Sequence, residues 1–149
     1  MRRLAPRGTY ALLIHLGHDT TIAIGRLGSF HFPVGYYVYV GSALGSGGLE
    51  ARLARHRRQC KTLHWHIDYL LAQARIVDVK VSETEERLEC SWARALLERP
   101  EARVIAPGMG SSDCTCPSHL VYLGSEDRLR WDWQSIGPGT QADPRSDRP

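Results

Sequence analysis

The feature that most constrains this fold is the stretch GYYVYVGSALGSGGLEARLARH, residues 35–56. Tyr36 to Val40 are aromatic or β-branched and read as a strand. Side chains alternate across a strand, so Tyr37 and Tyr39 face one way and Tyr36, Val38 and Val40 the other. The small-residue loop SALGSGG follows, and then a helix over residues 49–58 with Leu49 and Leu53 as its buried stripe. Arg52 and His56 lie one turn apart beside that stripe, at the margin between core and solvent, where a cleft wall would run. Arg55 and Arg58 are expected to point further out.

The rest of the chain supplies partners for this unit. Residues 9–16, TYALLIHL, read as a central strand, and TIAIGRL at 21–27 as a second one pairing with it in a hairpin across GHD. WHIDYLLAQ at 65–73 predicts a helix, and RIVDVKV at 75–81 a strand with Val77, Val79 and Val81 on one side. Ser82 with Glu85 matches a capping box that would open a helix running to about Glu98, stopped by Pro100. HLVYLG at 119–124 and RLRWDW at 128–133 read as short strands. The fold class expected is a small α/β (α+β) domain: a central mixed or antiparallel sheet flanked by helices.

A chain of 149 residues suits one domain. Its span is read as 8–133, with a loose N-terminus at 1–7 and a disordered tail at 134–149, QSIGPGTQADPRSDRP, too poor in apolar residues to offset its ordering entropy. No apolar run approaches the roughly 18 residues of a membrane span, and MRRLAPRGTY has no signal-peptide core. The expected location is the cytoplasm, where four cysteines are thiols or metal ligands rather than disulfides. The net charge of +3 permits an anionic partner without requiring one.

In the later helix Leu88, Trp92 and Leu96 define the apolar face, and Glu89 projects beside Trp92 and Leu96. A carboxylate at that margin is partly desolvated, so a counter-charge or metal would help keep it ionised. Geometry alone leaves two readings open: a metal ligand, or an ordinary Arg–Glu ion pair between helices.

These residues resemble the signature of the GIY-YIG nuclease superfamily. Its first half is matched by Gly8-Thr9-Tyr10 and its second by Tyr39-Val40-Gly41, followed by Ser42; then come the Arg52-x-x-x-His56 spacing and Glu89 three residues before Trp92. HWHIDYLL at 64–71, TEERLEC at 84–90 and GSSDCTCPSHL at 110–120 resemble a branch of that superfamily long catalogued as a domain of unknown function. Its members occur alone or appended to base-excision repair enzymes of the endonuclease III type. The resemblance implies a GIY-YIG-like fold and a metal-dependent endonuclease that hydrolyses phosphodiesters of DNA, with RNA also open and a DNA-repair enzyme as a partner. It implies Tyr10 or Tyr39 in water activation, Arg52 on the scissile phosphate and His56 in proton transfer or phosphate positioning. It also implies Glu89 holding Mg²⁺ or Mn²⁺. A noncatalytic nucleic-acid-binding module, or a zinc-stabilised partner domain of a repair enzyme, would use the same residues differently.

Two further groups belong to the expectation. Cys114, Cys116 and His119 could bind Zn²⁺, with Cys60, His64 or His66 as the fourth ligand, or the loop could simply pack against HWHIDYLL. A third reading takes His66, Asp68, Asp113 and His119 as further catalytic or nucleic-acid contacts. Arg52, Arg55, Arg57, Arg58 and Lys61 form a basic run, of which Arg55, Arg58 and Lys61 are candidate phosphate contacts. Ser42 and its loop could let a nucleic-acid backbone approach closely, and Trp65 could stack on an unpaired base.

Overall fold

The structure, a computed structural model, describes residues 6–45, 47–58, 62–110 and 114–135. In chain order the elements are β1 (Gly8–Leu16), β2 (Thr20–Ile24), β3 (Gly28–Phe32), β4 (Gly35–Ala43), α1 (Gly48–Arg57), α2 (His66–Leu71), β5 (Arg75–Glu83), α3 (Glu89–Leu97), β6 (Leu120–Gly124) and α4 (Arg128–Trp131). Single 3₁₀ turns cover Gly25–Leu27 and Asp132–Ser135. The class is mixed α+β, built on a four-stranded sheet in the order β5-β1-β4-β6 whose neighbours all run antiparallel.

The sheet is covered on both faces, so its two middle strands are apolar on both sides. Tyr10, Leu12, Ile14, Leu16 and Tyr37 pack under α1, α2 and the β2–β3 ribbon, with Leu49, Ile67, Leu70 and Phe32. Ala11, Leu13, Tyr36, Val38 and Val40 pack under α3 and the C-terminal turns, with Trp92, Leu96, Leu129 and Trp133. The alternation expected for Tyr36–Val40 is therefore realised, with both faces buried.

Four local expectations are corrected. The second strand ends at Ile24 and pairs with β3, not with β1, so GRLGSFHFPVG carries a strand of its own. Ser82 does not cap a helix: it lies in β5, opposite Thr9, and α3 begins only at Glu89 with Leu88 as its N-cap. A long ladder with β1 outweighs a local capping pattern. Val77 and Val79 do not share a face, because Leu13 pairs with Asp78 and Ile14 with Ile76, leaving Val77 as a bulge. The extra residue inverts the alternation, so Val77 packs on the α3 side, Val79 on the other, and Val81 is exposed. Residues 128–133 are helical and not a strand: Leu129 and Trp133, four apart, are buried, while Trp131 between them is 78% exposed.

The expected ends also shift. Pro6 and Arg7 are tied to the domain, their carbonyls accepting from Leu49 N and Thr84 N. Residues 1–5 and 136–149, like Cys60, Lys61 and Asp113, lie outside the described residues. Among the described residues no helix is long and apolar enough to cross a membrane.

Candidate active site and metal centre

The site arises where β6 stops. The last β4–β6 pair is Tyr39 with Leu120, and beyond it Val40 N donates only to His119 O. The end of β4 is thus open on one side, and its unpaired backbone needs other partners. Arg52 on α1 supplies one, its Nη1 donating to Ser42 O at 2.9 Å. The segment before β6 supplies the opposite wall. It is knitted to itself by Gly108 N to Pro117 O, His119 N to Met109 O, and Ser118 Oγ to Leu120 O. Between them lies a cleft of ≈ 320 Å³ lined by Tyr10, Tyr39, Gly41, Ser42, Arg52, Arg87, Glu89, Cys90, Gly110, Cys114 and His119.

The glycines set how closely these walls approach. Gly41 stands directly opposite Tyr10 in the β1–β4 register, and a Cβ there would collide with the Tyr10 phenol. Gly110 has φ +74° and passes over Tyr39 and His119, with a Cβ only 3.0 Å from the Tyr39 ring.

Under this roof the Tyr10 hydroxyl lies 2.6 Å from His56 Nε2, and both residues are buried. Burial, the neighbouring Tyr39 and the Glu89 charge hold the Tyr10 phenol protonated, against the opposing pull of Arg52. Burial, with Glu89, pushes Tyr39 up to about 12. The tyrosines at neutral pH are therefore hydrogen-bonding phenols rather than phenolates, and Tyr10 shares a hydrogen bond with His56.

Cys90, Cys114, Cys116 and His119 bring one ligand atom each to within 4.8 Å of one another. Cys114 Sγ and Cys90 Sγ lie 3.4 Å and 3.8 Å from His119 Nε2. Thiolates on a zinc-sized ion, with metal–sulfur bonds of about 2.3 Å, stand roughly 3.8 Å apart, so a small contraction would complete a tetrahedron. Three thiols are soft donors and an imidazole a borderline one, and this Cys₃His group could bind a metal, with zinc-type ligation favoured over magnesium. Among the described residues the fourth member of the group is Cys90: His64 and His66 lie outside it, His66 Nδ1 accepting from Gly110 N at 3.4 Å, and Cys60 lies outside the described residues. Arg87 is the other lining residue that sequence reasoning missed. Cys90 had a signal, since it adjoins Glu89 in TEERLEC, but its distance in sequence from Cys114 hid the pairing.

The remaining basic candidates separate. Arg55 does not point outward. It grips the fully buried Asp68 with two 2.9 Å hydrogen bonds, and Asp68 also accepts from the amides of His64 and Trp65 at 2.8 Å. Burial alone would raise the Asp68 carboxyl, but the Arg55 bonds and the two amides outweigh it and bring the acid from 3.8 to about 2. Arg55 and Asp68 are thus structural, joining α1 to α2. Trp65 is half-buried with the Arg52 and Arg55 guanidiniums 4.5 Å and 3.9 Å from its ring centre, so it acts as a packing anchor for both arginines. Arg58 lines a second, larger groove of ≈ 830 Å³ together with Arg57, Arg75, His15 and His56. Among the described residues no carboxylate pairs with Arg52, Arg57 or Arg58.

Residues 9–140 match the family described as a domain of unknown function, DUF123. The chain belongs to that family. No curated protein and no solved structure matches it. In this DUF123 domain the expected residues Tyr10, Tyr39, Ser42, Arg52 and Glu89 share one cleft with Cys90, Cys114 and His119, and His56 joins through Tyr10.

Proposed function

We propose that this domain is a metal-dependent phosphodiesterase that cleaves DNA, as the resemblance to GIY-YIG nucleases implies. The observation that carries the reading is the single cleft lined by two phenols, Arg52 and Glu89. A phosphodiester is anionic and gains charge as water attacks, so the site must offer cationic and hydrogen-bonding groups where that charge develops. Arg52 is oriented for this by Ser42 O and Trp65, and Arg87 adds a second cation on the rim. Glu89, the one carboxylate among the described lining residues, would hold a hard divalent ion such as Mg²⁺ or Mn²⁺. When bound, such an ion supplies charge to the phosphate and lowers the pKa of its water. Tyr10 and Tyr39 hold their protons, so their role is to orient water or phosphate by hydrogen bonding, with His56 fixing Tyr10. We assign the Cys₃His group to Zn²⁺: four protein ligands close the coordination shell, which makes it a structural centre rather than the hydrolytic one.

One observation favours a second reading, a noncatalytic nucleic-acid-binding module. Both phenols are held protonated, Glu89 is the one carboxylate among the described lining residues, and His119 Nε2 is turned to Cys114 and Cys90, so none of these side chains is an evident general base. Incubation of labelled single-stranded DNA, duplex DNA and RNA with the protein in Mg²⁺, Mn²⁺ or EDTA decides between them. Cleavage of DNA that EDTA abolishes supports the enzyme. Binding without cleavage under every divalent condition establishes the module.

A further inference from the structure

We propose that Glu89 is the outer carboxylate of the Cys₃His centre, tied through His119, so that the metal site positions the acid that faces the cleft. The inference rests on the zinc reading of that centre and not on cleavage. Cys114 and Cys90 both approach His119 at Nε2, at 3.4 Å and 3.8 Å, which makes Nε2 the metal-facing nitrogen. The other nitrogen, Nδ1, is buried and has no hydrogen-bond partner among the described residues. It points to Glu89 Oε2 at 3.9 Å, with the His119 side chain 4% and the Glu89 side chain 22% exposed. A metal-bound imidazole commonly donates its second N–H to a carboxylate, which fixes ring orientation and tautomer. A displacement of about 1 Å converts the 3.9 Å contact into that hydrogen bond. Covalent connectivity acts in the same direction, because Cys90 is the next residue after Glu89 at the start of α3. Two tethers, one through the chain and one through His119, thus hold a single carboxylate between the sulfur cluster and Arg52. Glu89 is a positioning residue for the cluster, and the cluster in turn sets where Glu89 stands in the cleft.

The test reads the metal centre directly. Full-length protein is loaded with one equivalent of Zn²⁺ or Co²⁺, and zinc affinity is measured by chelator competition for wild type, Glu89→Gln and Arg87→Ala. Glu89→Gln is expected to weaken zinc about 10- to 100-fold and to shift the thiolate-to-Co²⁺ absorption, whereas Arg87→Ala, which alters the same cleft, leaves both unchanged. Equal zinc affinity in wild type and Glu89→Gln overturns the inference while leaving the zinc reading intact. Failure of wild type to take up zinc or cobalt overturns the zinc reading itself. Should Glu89→Gln not fold, ¹⁵N spectra of zinc-loaded wild type settle the matter. Metal on Nε2 of His119 with a slowly exchanging proton on Nδ1 supports the tie, and the reverse assignment refutes it.

Discussion

Gly41 illustrates how much of the site is decided at single residues. Its place opposite Tyr10 lets the phenol lie across the strand and reach His56. Gly41→Ala puts a methyl group against the far end of the Tyr10 ring, its hydroxyl and Cζ, which burial and the His56 contact keep from swinging away. Overpacking of this kind costs about 1–3 kcal/mol. The expected result is a lower melting temperature and a sharp loss of any cleavage activity. Replacement of Tyr10 by Leu is destabilising in its own right, yet adding Gly41→Ala to it should cost at least about 1 kcal/mol less than in wild type. Additive effects on thermal unfolding would show that the clash is relieved elsewhere. The strand from Tyr36 to Val40 is legible in the sequence because side-chain alternation defines it, and Tyr39-Val40-Gly41 stands out only by its resemblance to a known signature. Cys90 is not legible as a ligand, because ligands that meet through tertiary packing share no local spacing; nothing short of the α3-to-loop contact brings it to Cys114.

At the level of elements, the Asp68–Arg55 pair fastens α2 to α1 and holds Trp65 beside Arg52. Asp68→Asn leaves Arg55 without its charge partner and is expected to cost about 3 kcal/mol, or roughly 10 °C in melting temperature. Its pH signature follows from sign. The folded acid, at about 2, lies below its ordinary 3.8. A depressed carboxyl contributes stability that is fully present above the ordinary value and is lost as pH falls through the folded one. Wild type should therefore lose about 2 kcal/mol of stability between about pH 5 and pH 2 that Asp68→Asn does not lose. Parallel acid limbs for the two proteins in urea titrations would discount the pair. The misplaced expectations share one cause at this scale. Ser82–Glu85 and RLRWDW each satisfy a local rule, but β1 pairing claims the first and the buried Leu129–Trp133 spacing claims the second. Strand β1 is legible in the sequence with its bounds nearly intact because burial on both faces leaves no charged residue to blur the run from Tyr10 to Ile14.

Across the whole molecule, the arginines divide by what surrounds them. Arg52 belongs to the cleft with Glu89 and the phenols, while Arg57 and Arg58 line the larger groove and are exposed. His56 lines that groove and also hydrogen-bonds Tyr10, so a strand of nucleic acid lying along Arg57 and Arg58 would pass close to the cleft. If Arg52 serves the transition state, Arg52→Ala should lower the single-turnover rate about 10²-fold or more with only modest loss of binding. Arg52→Lys should not restore it, since a point charge lacks the planar fork that grips two oxygens. The Arg57→Ala, Arg58→Ala double variant should do the opposite. It removes two phosphate contacts, so the dependence of log affinity on log salt for single-stranded DNA should flatten by about 1.4, with the rate at saturating enzyme nearly intact. The measurement is equilibrium binding over a salt series beside single-turnover cleavage in Mn²⁺. Equal losses of rate in both variants would mean that the groove is part of the catalytic site, and an unchanged salt slope would mean that nucleic acid does not run along it.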